Sequence, residues 1–156
     1  KGDIIVMLST DGNERSGDIS RLVDKIVEGY DLVIAARFGR GQSDDVTLIR
    51  RFGNWALTAL INLVAHTHLS DTQNGFRAVR RTSLDCMNLD SERFDIEAEM
   101  TLKAGKLGFK IAEIPTIEDK RQFGESRLRT FRDGWKIFQR IIKEAKRNPP
   151  YNKTKS

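Results

Sequence analysis

Two short apolar runs, "IIVML" at Ile4–Leu8 and the interior of "DLVIAAR" at Asp31–Arg37, constrain this chain more than any other feature. Neither alternates with polar residues, so each suits a strand buried on both faces rather than one with a wet side. Between them "ISRLVDKIVEG" has the spacing of an amphipathic helix, with Ser16 or Asp18 able to cap its start and Gly29 near its stop. Strand, helix and strand at this spacing form a βαβ unit, which predicts parallel strands and a right-handed crossover. The expected class is α/β, a mostly parallel sheet flanked by helices.

The remaining elements follow the same logic. A helix is predicted over about Val46–Val64, with Leu57, Leu60, Ile61 and Val64 on one face. "HLSDTQNG", His68–Gly75, is turn chemistry, and "FRAVRR" after it reads as a strand; Thr82 or Ser83 opens a short helix. "RFDIEAEMTLKAGKLG" reads as a helix with Asp95 near its start and Gly108 at its stop, and "FKIAEIPTIE" as a strand. A last helix covers Thr130–Lys146 with the apolar stripe Phe131, Trp135, Phe138, Ile142 and Ala145. That stripe is expected to pack inward; the alternative is a membrane interface, with Arg140, Lys143 and Arg147 toward anionic headgroups. One domain is expected over residues 1–147, with a flexible tail at 148–156. Because the chain starts almost directly on a buried strand, it is expected to be cut inside a larger α/β domain.

Composition matters mainly for partners. Charged residues make up 31% and mean hydropathy is −0.48. The longest apolar stretch, "ALTALINLV" at 56–64, is broken by Thr58 and Asn62, well short of the roughly 20 residues that span a bilayer. The one cysteine, Cys86, excludes an intramolecular disulfide and fits a reducing compartment. Residues 120–156 hold twelve basic and three acidic side chains, a balance of +9, against −4 for the rest. A basic end of this kind suits an anionic partner: phosphate, lipid headgroup or nucleic acid. Basic residues do not interleave with aromatics across a sheet face and no nucleic-acid motif occurs, so nucleic acid is not expected.

Ligands of open α/β sheets bind beyond the carboxyl ends of the strands. Three loops leave such ends: Ser9–Asn13, Phe38–Asp45 and the segment after Ile117. Asp11 is either an Asx-turn residue or a carboxylate for a divalent cation bridging two phosphates, with Asn13 adding a carbonyl oxygen. "SDTQNGFRAVRR" places Asp71, Gln73 and Asn74 in a turn and Arg77 on the strand leaving it, where a bidentate grip on phosphate is possible. Asp95 and Glu99, four apart, share a helix face, whereas Glu97 and Glu99 do not. "DKRQFGESRL" sets Lys120, Arg121 and Arg127 around Gly124, a loop able to order on a pyrophosphate. His66 and His68 lack nearby partner ligands for a metal.

Six of these pieces, in order, resemble family 2 glycosyltransferases of the GT-A fold, in particular the polyprenyl-phosphate branch typified by dolichyl-phosphate mannose synthase. They are "IIVMLSTDGN", "DLVIAARF", "RRFGNWALTALIN", "SDTQNGFRAVRR", "FDIEAEMTLKAGKLGFKIAEIP" and "RQFGESRLRTFRDGWKI". The resemblance spans residues 3 to about 147. It implies that Asp11 is the second acid of an Asp-x-Asp metal motif, with Asn13 beside the ion, Mg2+ or Mn2+. Arg37 closes the second strand, and Arg50 or Arg51, with Arg77, lies near the acceptor's phosphate. Asp71 belongs to the turn shaping the sugar pocket, with Gln73, Asn74 and Glu99 in the substrate-binding set. Arg121, Ser126 and Arg127 match the loop that closes on the donor pyrophosphate. The sequence departs from the pattern at Ser9, which replaces the first acid, and lacks the family's N-terminal nucleotide-holding strands.

The implied activity is inverting, metal-assisted transfer from a GDP- or UDP-linked sugar to a polyprenyl phosphate, at the cytoplasmic face of a membrane. A phosphate acceptor is already ionised at neutral pH and needs no strong base, so catalysis rests on positioning and charge. The chain by itself, without the nucleotide-holding strands, is expected to be inactive. Two alternatives stand beside this one. A saccharide hydroxyl acceptor would need a carboxylate base, Asp71 or Glu99; a non-catalytic module would bind membranes or anions by its basic surface alone.

Overall fold

The computed structural model describes residues 2–8, 15–37, 42–43, 48–91, 95–118 and 130–147. β1 (Ile4–Met7) leads to α1 (Gly17–Val27) and β2 (Leu32–Ala36), as the apolar runs require. A two-residue strand, β3 (Gln42–Ser43), follows, then α2 (Leu48–Ala65), β4 (Arg77–Arg80) and α3 (Arg81–Met87). The chain continues through α4 (Ile96–Lys106), β5 (Ile111–Pro115), β6 (Ile117–Glu118) and α5 (Thr130–Lys146).

The main sheet has the order β1-β4-β2-β5. β1 and β2 point the same way, as expected, yet they are not neighbours. β4 lies between them, antiparallel to both, with Met7 and Ile34 each opposite Arg77. The pairing of β2 with β5 is parallel, from Leu32 opposite Ile111 to Ala36 opposite Pro115. Sequence periodicity is silent on strand order, since the spacing of apolar residues within a strand does not say which strand lies beside it. β3 and β6, read as loop and strand end, form a separate parallel pair.

Both faces of the sheet are covered, which is why β2 can be apolar at every position. On one side Leu22 and Ile26 of α1 pack on Val33, Ala35, Phe76, Ala78 and Ile114. On the other, Met87 of α3 and Met100 and Ala104 of α4 pack on Leu32, Ile34 and Val79. α4 has a second burial partner: Ala98 and Leu102 meet Ile61 and Ala65 of α2 and Ile137 and Ile141 of α5. A helix sandwiched between sheet and helices has no wet face, so every residue from Ala98 to Ala104 is buried.

The helix stops follow the expected chemistry. Gly29 and Gly108 have φ of +107° and +71°. The amides of Gly29 and Tyr30 reach Ile26 and Lys25 carbonyls, and those of Gly108 and Phe109 reach Gly105 and Ala104 carbonyls. This is the Schellman arrangement, which needs a left-handed residue at the turn. Asp95 stands at the start of α4, as expected. The start of α1 differs from expectation: Ser16 does not cap the helix by its side chain, and Asp18 instead accepts from Thr116 Oγ1 at 2.7 Å and from Arg21.

α5 has the predicted span but not the predicted face. Ile137 and Ile141 are buried, while Trp135 is 60% and Ile142 41% exposed, and Trp135 stacks on Phe138 at 5.4 Å. The rotation follows from charge. Arg140, Lys143 and Arg147 all hydrogen-bond the Asp90 carboxylate, and Arg140, largely covered, also holds Asp95 at 2.9 Å, while Lys143 and Arg147 stay exposed beside it. Satisfying those acids fixes which side of the helix faces the body. The tail at 148–156 lies outside the described residues.

Candidate functional site

The parallel strands β1, β2 and β5 end at one edge of the sheet, and the register brings the start of β4 to the same edge. The turn 70–76, which feeds β4, therefore sits where open α/β sheets bind ligands. It is fastened from several sides. Thr58 of α2 meets the Thr72 hydroxyl at 3.0 Å and accepts its backbone N–H. The Asn74 amide donates to Ala35 O at 2.6 Å, and its oxygen accepts the Phe76 N–H.

Arg77 is the internal fastening. Alternation places it with Val79 on the α4 side, and there its guanidinium is wholly buried. It donates to Asn74 O, Thr72 O, Glu97 O and Thr101 Oγ1 at 2.5–3.4 Å. Burial lowers its pKa, an effect opposed by the Glu97 and Asp71 charges and reinforced by Arg37. An Arg with its donors spent on carbonyls inside the protein cannot grip a phosphate at the edge. The expected phosphate contact is corrected to a structural one.

Asp71 is also fully buried, and its partner is Arg37 at the end of β2. Arg37 gives it the backbone N–H at 3.1 Å, Nε at 2.8 Å and Nη2 at 3.2 Å, while the Gln73 N–H adds a fourth bond at 3.2 Å. The fork-to-fork geometry fixes both side chains. Two residues that share no signal in sequence, 34 apart, are thus one unit. Gln73, half-buried, donates to Thr72 Oγ1.

Glu99 lies elsewhere. It is fully buried, paired with Lys103 at 2.5 Å, and accepts the Asp90 and Ser91 amides. Burial pushes its pKa up, but these hydrogen bonds outweigh it and hold the carboxyl below its ordinary range. It does share a face with Asp95, as the spacing predicts, with Arg140 reaching both. Among the described residues that face meets α5, and the Glu99 oxygens are committed to Lys103 and the Asp90 and Ser91 amides, a structural role in place of the expected substrate contact. Carboxylate oxygens of Asp90, Glu99 and Glu144 converge within 4.8 Å of one another. Lys103, Arg140 and Arg147 stand among them, so the protein's own cations occupy the place of a metal ion.

Arg51 is exposed in the first turn of α2, seven residues before Thr58. The Arg50 side chain lies outside the described residues, as do Asp11, Asn13, Lys120, Arg121, Ser126 and Arg127. One contributor escaped the sequence reading: Glu113 of β5, which binds the Ser70 and Asp71 amides. A glutamate in an apolar strand on the face of buried Ile34 was its only signal.

No protein-family model matches the chain. Over 147 residues it is 33% identical to glycosyltransferase AglJ of Haloferax volcanii, covering 94% of this chain and 48% of that protein. It is 28% identical over 130 residues to the undecaprenyl-phosphate mannosyltransferase of Micrococcus luteus, covering 81% of this chain and 53% of that one. The chain spans about half the length of the curated relatives it matches. Among solved structures, glucosyl-3-phosphoglycerate synthase of Mycobacterium tuberculosis, in complex with Mn2+ and UDP-glucose, superposes with a TM-score of 0.66 at 16% identity. That match covers 93% of this chain and 50% of the other, and the shared fold is GT-A.

Proposed function

We propose that this chain, which has the GT-A fold and is similar in sequence to glycosyltransferase AglJ and to polyprenyl-phosphate sugar transferases, carries the catalytic edge of an enzyme that moves a sugar from a nucleotide-sugar donor to a polyprenyl phosphate. The choice of acceptor rests on the state of two acids. A hydroxyl acceptor would draw on Asp71 or Glu99 as general base, and both are buried with their oxygens committed to Arg37 and Lys103. A phosphate acceptor is ionised without help and needs neither.

In this reading Arg37 and Arg51, with Lys120, Arg121 and Arg127 of the segment that precedes α5 in sequence, supply positive charge to donor pyrophosphate and acceptor phosphate. Asp11 and Asn13 offer the hard oxygen donors that suit Mg2+ or Mn2+ alongside substrate phosphates. Such an ion, when bound, stabilises charge on the departing nucleoside diphosphate. The Mn2+ and UDP-glucose held by the M. tuberculosis enzyme support this pairing of metal and nucleotide sugar. Attack from the side opposite the leaving group inverts the anomeric centre.

The acceptor lipid brings the enzyme to a membrane surface. Among the described residues no helix is long and apolar enough to cross one. The outward face of α2 instead presents Leu48, Ile49, Phe52, Trp55 and Leu63, each at least 66% exposed, on a helix without an acidic residue. We assign that face to the lipid interface, in place of the α5 stripe.

The test uses the complete protein that carries this chain and a radiolabelled nucleotide sugar. Label should pass to polyprenyl phosphate; label passing only to free glycans overturns the acceptor. Asp11→Ala should abolish metal-dependent transfer, and retained activity would remove Asp11 from the site.

A further inference from the structure

Glu113 is a charged residue in the middle of β5, opposite Ile34 of β2 and one residue from buried Ile114. It is half-buried on an edge strand, so its direction is set by its hydrogen bonds rather than by burial alone. Among the described residues those bonds go to one place. Oε1 accepts the Ser70 N–H at 2.8 Å and the Asp71 N–H at 2.9 Å, and Oε2 accepts the Ser70 N–H at 2.9 Å and its hydroxyl at 3.0 Å. Two successive backbone amides converging on one anion fix the intervening peptide plane.

The next link is Asp71 itself. Its amide is held by Glu113 while its carboxylate takes three bonds from Arg37. Glu113 on β5, the 70–71 peptide and Arg37 at the end of β2 thus form one continuous chain across the sheet edge. Of the two side chains at its far end, Asp71 is fully buried and Arg37 is 13% exposed, so the arrangement delivers Arg37 to the edge.

We propose that Glu113 is a positioning residue of the transferase site: through the Ser70 and Asp71 amides it sets the orientation of the Asp71–Arg37 pair without touching substrate. This rests on reading the edge as the sugar-transfer site. Glu113→Gln keeps the length but sets an NH2 donor against the Ser70 donors. Glu113→Asp keeps the charge but shortens its reach.

The experiment pairs two readouts on the complete protein. Amide hydrogen exchange at Ser70 and Asp71 reports the geometry, and transfer from labelled nucleotide sugar to polyprenyl phosphate reports the role. Glu113→Gln should speed exchange at residues 70 and 71 while leaving β2 and β4 amides protected. It should lower kcat about tenfold or more, with the KM for polyprenyl phosphate little changed. Added to Asp71→Asn it should cost little further, because both act through one pair. Glu113→Asp should recover part of both readouts, which also separates positioning from a folding defect. Unchanged exchange at 70 and 71, unchanged kcat in Glu113→Gln, or losses that multiply with Asp71→Asn would each overturn the proposal. A wild-type protein that transfers no sugar, with exchange still responding to Glu113→Gln, would instead sink the functional reading on which it rests.

Discussion

Arginine in a strand beside a polar turn looks the same in sequence whether it faces a ligand or the interior, and at Arg77 the interior wins. Its five donors match the carbonyls of Thr72, Asn74 and Glu97 and the Thr101 hydroxyl, of which the last two are also joined to each other within α4. Arg77→Met would fill similar volume while taking the buried donors away from the Thr72 and Asn74 carbonyls, at a cost of about 3 kcal/mol. The expected outcome is a clear drop in the urea midpoint of unfolding, with any loss of activity following loss of the folded turn. A midpoint within error of the wild type would return Arg77 to the list of candidate ligand contacts. Arg37 is the reverse case. The sequence offered only its place at a strand end, and the structure supplies the buried acid that orients it.

Helices carry the next set of consequences. α2 is bifacial: Ile61 and Ala65 enter the core while Phe52 and Trp55, rings 5.8 Å apart, lie on the outside. Full burial of one such side chain is worth about 1.5–3 kcal/mol. Replacing both Phe52 and Trp55 with Glu should therefore reduce partitioning onto anionic vesicles at least about tenfold in flotation assays. Equal flotation of variant and wild type would move the lipid contact elsewhere. α2 and α4 also touch at their ends without slack. A Cβ on Gly105 would come within 2.6 Å of both the Ala65 Cβ and its carbonyl oxygen. Gly105→Ala must push the helices apart there, and about 1–3 kcal/mol of destabilisation is expected from overpacking. Thermal unfolding reads this directly; a variant as stable as the parent would mean the helix pair can slide freely.

At the scale of the whole molecule, α5 is joined to the rest by charge as much as by Ile137 and Ile141. Burial raises the pKa of Asp90, Asp95 and Glu99, yet bonds from Arg140, Arg147, Lys143, Ser91 and Lys103 outweigh it and hold all three below the ordinary carboxylate range. The folded state therefore binds fewer protons than the unfolded chain in acid. Stability from these contacts is complete above the unfolded carboxylate values, about 4, and drains as pH falls through the lower folded ones. Urea unfolding followed from pH 7 to pH 3 should show a steep loss below about pH 4. Arg140→Met should flatten that slope; an identical slope would mean other carboxylates dominate.

The sequence by itself determined the main elements and their order, though not the short β3–β6 pair. Apolar runs without alternation marked β1 and β2 as doubly covered, Gly29 and Gly108 marked helix stops, and the spans of α2 and α5 followed from periodicity. These are local properties, fixed by backbone sterics and by which residues recur on one face. The turn at Asp71 and its neighbours was legible as a turn for the same reason. What only the tertiary structure decided is which partner each polar or charged group meets. The insertion of β4 between β1 and β2, the joining of Arg37 to Asp71 and of Glu113 to the 70–71 amides, the inward turn of Arg77 and the rotation of α5 toward Asp90 all depend on contacts distant in sequence. A buried charge accepts a place only where an opposite charge or a carbonyl awaits it, and that is settled by packing the whole chain at once.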